Sequence, residues 1–267
     1  MKANQKPVGE HLREWRMRRR MSQMDLALEA EISTRHLSFV ETGRAQPSRD
    51  MVLHLADQLE IPLRERNVIL VAAGFAPVFP ERPLDDPRLA AARKAVDVIL
   101  KAHEPYPALA VDLRWNLVAA NAVVAPLLAG VEPTLLQPPL NVVRLSLHPQ
   151  GLGPRIVNLA EWHAHIVERL RRQAELTADP GLIALFEEIR SYPVPPASDR
   201  RLEDYGDVVI PLQLMVGDDL LSLFTTTTVF GTPVDVTLAE LTLETFFPAD
   251  AATAAFLRNA HAALAAV

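Results

Sequence analysis

Cysteine is absent from the 267 residues, which excludes disulfides, thiolate zinc sites and thiol nucleophiles together. No apolar run reaches the ~18 residues that a membrane span needs. The N-terminal MKANQKPVGEHLREWRMRRR also lacks the apolar run of a signal peptide. Gly-rich phosphate loops, nucleophile elbows and zinc-protease helices are missing. His163-Ala-His165 places two imidazoles at i and i+2, on different faces of a helix, whereas a metal pair wants i and i+4. Glu161 and Glu168 read as surface charges, and Ser198-Asp199 as an ordinary loop. Glu240 and Glu244 alternate outward on a strand with no partner acid or nucleophile. The expectation is a cytoplasmic protein that is not an enzyme and holds no metal or resident cofactor.

Apolar residues make up 49% of the chain, enough for a sizeable core beside a small module. The net charge of -6 conceals an asymmetry. Residues 1–80 carry 12 Lys and Arg against 10 Asp and Glu, and the remainder carries 15 against 23. Arg16, Arg18, Arg19 and Arg20 crowd one helix end. Phosphate contacts depend on such clustering more than on total charge, although the cluster also fits an ordinary solvated helix end.

The stretch from Ser22 to Arg49 reads as two short helices and a loop. Ser22 caps the first, with Asp25 in its first turn, and Leu26, Ala27 and Ala30 face inward. After a tight turn at Glu31-Ile32, Ser33 caps the second, which turns Leu37 and Val40 inward. Thr34, Arg35, His36 and Ser38 are left outward, where such side chains meet base edges. Gln23 can reach a phosphate or an adenine edge, and Arg44 and Ser48 fit phosphate contacts. A first helix over 8–20 turns Val8, Leu12 and Trp15 inward. A fourth over 49–60 does so with Met51, Val52, Leu55 and Leu59. A fifth begins at Pro62 and uses Leu63, Val68, Ile69 and Val71.

The series Ser22-Gln23, Leu26-Ala27, Ile32-Ser33, Leu37, Glu41, Gly43-Arg44 and Pro47-Ser48 resembles the helix-turn-helix of XRE, or lambda-repressor-like, regulators. The resemblance covers about residues 8–74. It implies a five-helix all-α DNA-binding domain over 1–74 that binds double-stranded DNA through Gln23, Ser33, Thr34, Arg35, His36, Ser38, Arg44 and Ser48. One position departs from the pattern, because Glu31 stands where the family usually has Gly. A side chain at positive φ there costs roughly 1 kcal/mol.

Residues 75–87, with four prolines from 74 onward, are a linker or an extended strap whose Phe75, Val78 and Phe79 seek an apolar surface. A helix over 88–103 precedes two extended runs, 108–112 and 116–120, after which Asn121 caps a short helix. Residues 140–147 fit a strand or a helical turn. Amphipathic helices follow over 155–174 and 180–192, then strands over 208–216, 220–230 and 239–247, and a final helix over 251–265.

Ala110-Val111-Asp112, Trp115, Asn116 and Asn121, then 230–238 (FGTPVDVTL) and Phe246-Phe247-Pro248, resemble the MmyB-like domain found behind XRE modules. The resemblance implies an α+β, PAS-like sensor and dimerisation domain over 88–267, with an antiparallel sheet and packed helices. It also implies a small, often apolar, fatty-acid-like effector. Trp115, Trp162, Ile166, Phe186, Leu212, Leu214, Leu223 and Thr225 are the candidate ligand residues, with Thr227 and His163 as further polar handles. The same apolar faces also fit a solid core. The leading expectation is a homodimeric, ligand-sensing transcription regulator. The alternative is a regulator whose C-terminal domain only dimerises or docks a protein partner.

Overall fold

The computed structural model describes residues 6–196 and 210–265, and the chain divides into two compact units. The first runs to Arg82 and includes 175–177 and 232–239. The second comprises the other residues from Pro83 onward. The expected 198–199 loop and the first two residues of the 208–216 strand lie outside the described residues.

Five helices build the first unit: α1 (Val8–Arg18), α2 (Gln23–Glu29), α3 (Thr34–Glu41), α4 (Arg49–Gln58) and α5 (Leu63–Ala72). Three serines start three of them. Ser22 accepts from the Asp25 amide and returns its own amide to the Asp25 carboxylate, a capping box. The Ser33 hydroxyl accepts from the His36 amide and that of Ser48 from the Met51 amide, single caps without the return bond. Leu12, Leu26, Leu37, Leu55, Ile69 and Leu70 are fully buried. Val68 and Val71, expected inside, are exposed, because α5 rotates Ile69 and Leu70 inward instead. Gly9 is needed where α1 meets α3, since a Cβ there would stand 2.3 Å from the Val40 carbonyl oxygen. Glu31 takes φ +52°, the strained turn conformation expected of it.

The proline-rich strap is pinned to α5. The Asn67 side chain accepts from the Val78 and Phe79 amides and donates to the Phe79 carbonyl. Arg82 then pairs with buried Asp235 at 2.8 Å, just ahead of the short helix at Val236–Ala239.

In the second unit a helix (α6, Ala90–Ala102) precedes strands β1 (Ala108–Val111) and β2 (Leu117–Ala120). Four helices follow: α7 (Val124–Leu127), α8 (Val142–Leu147), α9 (Leu159–Thr177) and α10 (Pro180–Arg190). Strands β3 (Leu212–Val216), β4 (Asp219–Val229) and β5 (Thr242–Pro248) complete the sheet. With the Val236–Ala239 turn numbered α11, the last helix is α12 (Ala251–Ala265). The sheet is antiparallel, in the order β2-β1-β5-β4-β3. Residues 140–147 resolve as helix α8, capped by Asn141.

Both faces of this sheet are covered. Ala108, Ala110, Leu241 and Leu243 pack against Val96 and Leu100 of α6. Leu109, Val111, Leu212, Leu214, Leu221 and Leu223 pack toward α8, α9 and α10. That double covering overturns the expectation that Glu244 points outward. The period of two turns it away from α6, but the other face is also interior, and Glu244 is buried. Asn121 does not cap a helix either. Its amide group accepts from the Ala108 amide and donates to the Leu100 and Tyr106 carbonyls, tying α6 to β1.

Candidate functional site

On the first unit, Thr34 and Arg35 stand exposed at the start of α3, with His36 and Ser38 half-buried beside them. Arg44 and Ser48 are exposed in and after the following loop. Phe39, which the sequence reading passed over, organises this face. The Arg35 guanidinium lies 5.3 Å from the Phe39 ring centroid and that of Arg44 lies 5.9 Å from it. One aromatic ring thus brings the candidate base reader and the candidate phosphate contact to one surface.

The Arg16–Arg20 cluster is not a set of four solvated cations. Arg16 is buried and makes a two-pronged pair with Glu41, at 2.7 and 2.9 Å, while donating to the Met21 carbonyl. That hydrogen-bonded pairing keeps the guanidinium pKa above its ordinary value. Arg19 donates to the Leu59 and Glu60 carbonyls at the end of α4, and Arg18 lies over Trp15. Gln23 also turns inward, its amide donating to Glu41 at 2.7 Å. It therefore helps fix α2 against α3, with only part of its amide left to meet DNA.

The second unit contains a cavity of about 120 Å³ between the sheet and its helices. Trp115, Trp162, Ile166, Leu212, Leu214, Leu223 and Thr225 all line it, joined by Leu117, Leu128, Leu140, Val143 and Phe246. Phe186 does not. It packs against the core from outside, with Arg190 over its ring at 5.5 Å. His163 also stays out of the lining, because its Nε2 meets the Ile189 carbonyl at 2.9 Å. His165 stacks on Trp162 at 5.5 Å. Burial, with Arg169 one turn away, holds its imidazole below the ordinary pKa and therefore neutral at pH 7.

Trp115 reaches the cavity from an unusual backbone. Its φ of +64° is a conformation that costs a non-glycine residue about 1–2 kcal/mol. Asp112 supports that turn by accepting from the Arg114 and Asn116 amides and from the Asn116 side chain. The indole N–H is satisfied by Gln173.

Among the described residues, two charged side chains line this otherwise largely apolar wall, and neither was among the residues expected at the site. Arg169 of α9 grips Glu244 of β5 at 3.0 and 2.5 Å, and lies 4.5 Å from the Trp115 ring centroid. The sequence held a signal for Arg169, which stands seven residues after Trp162 and three after Ile166. It therefore shares their helix face. Glu168, one position earlier, faces out and pairs with Arg171 and Arg172. Among the described residues there is no cluster of three or more groups suited to a metal ion. No described helix is long and apolar enough to cross a membrane.

A capped helix-turn-helix followed by a sheet domain with a largely apolar cavity defines a class, the DNA-binding regulators that carry a ligand-binding domain. The family comparison agrees. Residues 92–260 match the MmyB-like transcription regulator ligand binding domain, and residues 7–68 match a helix-turn-helix domain. The chain belongs to the MmyB-like transcription regulator family. Both matched modules are regulatory, one for binding DNA and one for binding a ligand. No curated protein matches the chain.

Proposed function

We propose that this regulator works as a homodimer in the cytoplasm, reads DNA through α3 and senses a small, fatty-acid-like apolar molecule in the C-terminal cavity. The strand order β2-β1-β5-β4-β3 supports calling that domain PAS-like. Arg35 reads a base, with Thr34, His36 and Ser38 beside it. Arg44, Ser48 and the Ser33 end of α3 hold the backbone, and Gln23 orients the module. One such module offers a small interface, so two half-sites about one helical turn apart are expected.

The observation that carries the sensor reading is the cavity itself, whose described lining is apolar apart from one ion pair, Ser146 and Thr225. Burial contributes roughly 0.8 kcal/mol per CH₂, so an acyl chain with a single polar anchor binds tightly. The volume of about 120 Å³ lies below the ~300–1,000 Å³ of ordinary ligand pockets. A long chain must therefore part the walls, and a ligand that favours the parted state shifts its population. The same small volume favours the alternative, a domain that only dimerises or docks a protein.

Arg35→Ala tests the DNA assignment. Specific binding should weaken by about 1–3 kcal/mol with relaxed preference at one base pair. Arg44→Ala should weaken binding to all sequences and flatten the salt dependence. Equal losses on selected and random DNA for Arg35→Ala would defeat the base-reading role. For the sensor, mass spectrometry of the purified chain and thermal melts with an acyl-chain series decide. A wild type indifferent to every chain leaves the dimerisation reading.

A further inference from the structure

We propose that the cavity selects an apolar molecule with an uncharged hydrogen-bonding head, an alcohol or a primary amide, over the corresponding carboxylate. The inference rests on the sensor reading above and specifies the chemistry of its anchor.

Among the described residues, Arg169 and Glu244 are the two charged side chains that line the cavity. They already neutralise one another, through a fork of 3.0 and 2.5 Å with side chains 20% and 4% exposed. Thr227 closes the arrangement, accepting from Arg169 at 2.8 Å and donating to Glu244 at 3.2 Å. The polar end of the cavity therefore offers hydrogen bonds and no net charge.

An entering carboxylate would share one guanidinium with Glu244. Two carboxylates on one part-buried cation oppose each other, and displacing Glu244 would strand a buried charge. The neighbouring His165 on α9 supplies no second cation, being held neutral by burial. From the sheet, β4 presents Thr225 to the cavity and Thr227 to the pair, and β1 and β2 present Leu109 and Leu117. A neutral head meets none of this opposition. A hydroxyl both donates and accepts, so it can give its hydrogen to Glu244 and take one from Arg169. A primary amide does the same with separate atoms. Arg169 uses two N–H groups in the fork and one toward Thr227, and a guanidinium carries five.

The test uses the full chain, stripped of lipid, with decanol, decanamide and decanoate as probes in mildly alkaline buffer, read by calorimetry. Decanol and decanamide should each bind the wild type at least about tenfold more tightly than decanoate. Glu244→Gln keeps the shape and frees the Arg169 charge, so decanoate should overtake decanol by a similar factor. Decanoate binding the wild type most tightly would overturn the proposal while leaving the sensor reading intact. A head-group order unchanged in a folded Glu244→Gln variant would also overturn it. If that variant does not fold, the wild-type series alone decides. Binding of none of the three probes would overturn the proposal and the sensor reading together.

Discussion

Each unit of this molecule encloses an Arg–Glu pair, and the two pairs differ in what surrounds them. Arg16–Glu41 has side chains 10% and 1% exposed, and Arg169–Glu244 has 20% and 4%. In the first unit the remaining partners are all protein, the Met21 carbonyl on the arginine and the Gln23 amide on the glutamate. That pair is fully absorbed in fixing α1, the start of α2 and the end of α3. In the second unit the partners are Thr227, the Trp115 ring and a void. Burial of a charged pair therefore says little about its role. Unfilled space beside it marks the pair that has somewhere to put a ligand.

The largest effect should come from breaking the closed pair. Arg16→Ala strands Glu41 without its cation and should cost about 3–5 kcal/mol in chemical denaturation, with loss of DNA binding. A cost below about 1 kcal/mol would rank it with surface pairs and erase the contrast. Arg169→Met should cost less, about 1–3 kcal/mol, because Thr227 still donates to Glu244 and the cavity can admit water. Equal costs for the two substitutions would mean that the cavity gives Glu244 no relief.

The smallest effect concerns pH and a half-exposed pair in the second unit. Burial alone would raise the Asp179 pKa, but the Arg114 fork and the Leu182 and Gly181 amides outweigh it and hold it below its ordinary value. A depressed folded pKa contributes stability above the unfolded value of about 3.9, and loses it as pH falls through the folded value. Asp179→Asn keeps an acceptor for the α10 cap. It should remove part of the acid limb below about pH 4 and lower stability at neutral pH by the same modest amount. An unaltered acid limb would show that Arg114 and Asp179 do not pair in solution.

The first unit was legible because its signals are local. Ser22, Ser33 and Ser48 cap helices that begin at the next residue, and Glu31 adopts the positive φ that the turn required. Even there, long-range pairing was hidden, and Arg16 and Gln23 proved to face Glu41 rather than solvent. In the second unit the element order was readable, along with seven of the eight candidate cavity residues. The inward turn of Glu244 was not. Alternation along a strand shows which residues share a face, but not whether a second layer covers that face. Phe186 failed for a related reason, since an amphipathic helix marks an inward stripe without saying which part of the interior stays empty.

Under the proposed sensor function, occupancy of the C-terminal cavity changes DNA affinity, which fluorescence anisotropy of the full chain on a selected operator reads. Titration with decanol should shift the wild-type dissociation constant at least about fivefold, the lower end of ordinary allosteric coupling. Leu214→Trp puts an indole into the cavity and should abolish the shift while leaving the unliganded affinity unchanged. An unchanged dissociation constant, with calorimetry showing decanol bound to the same preparation, would exclude that coupling.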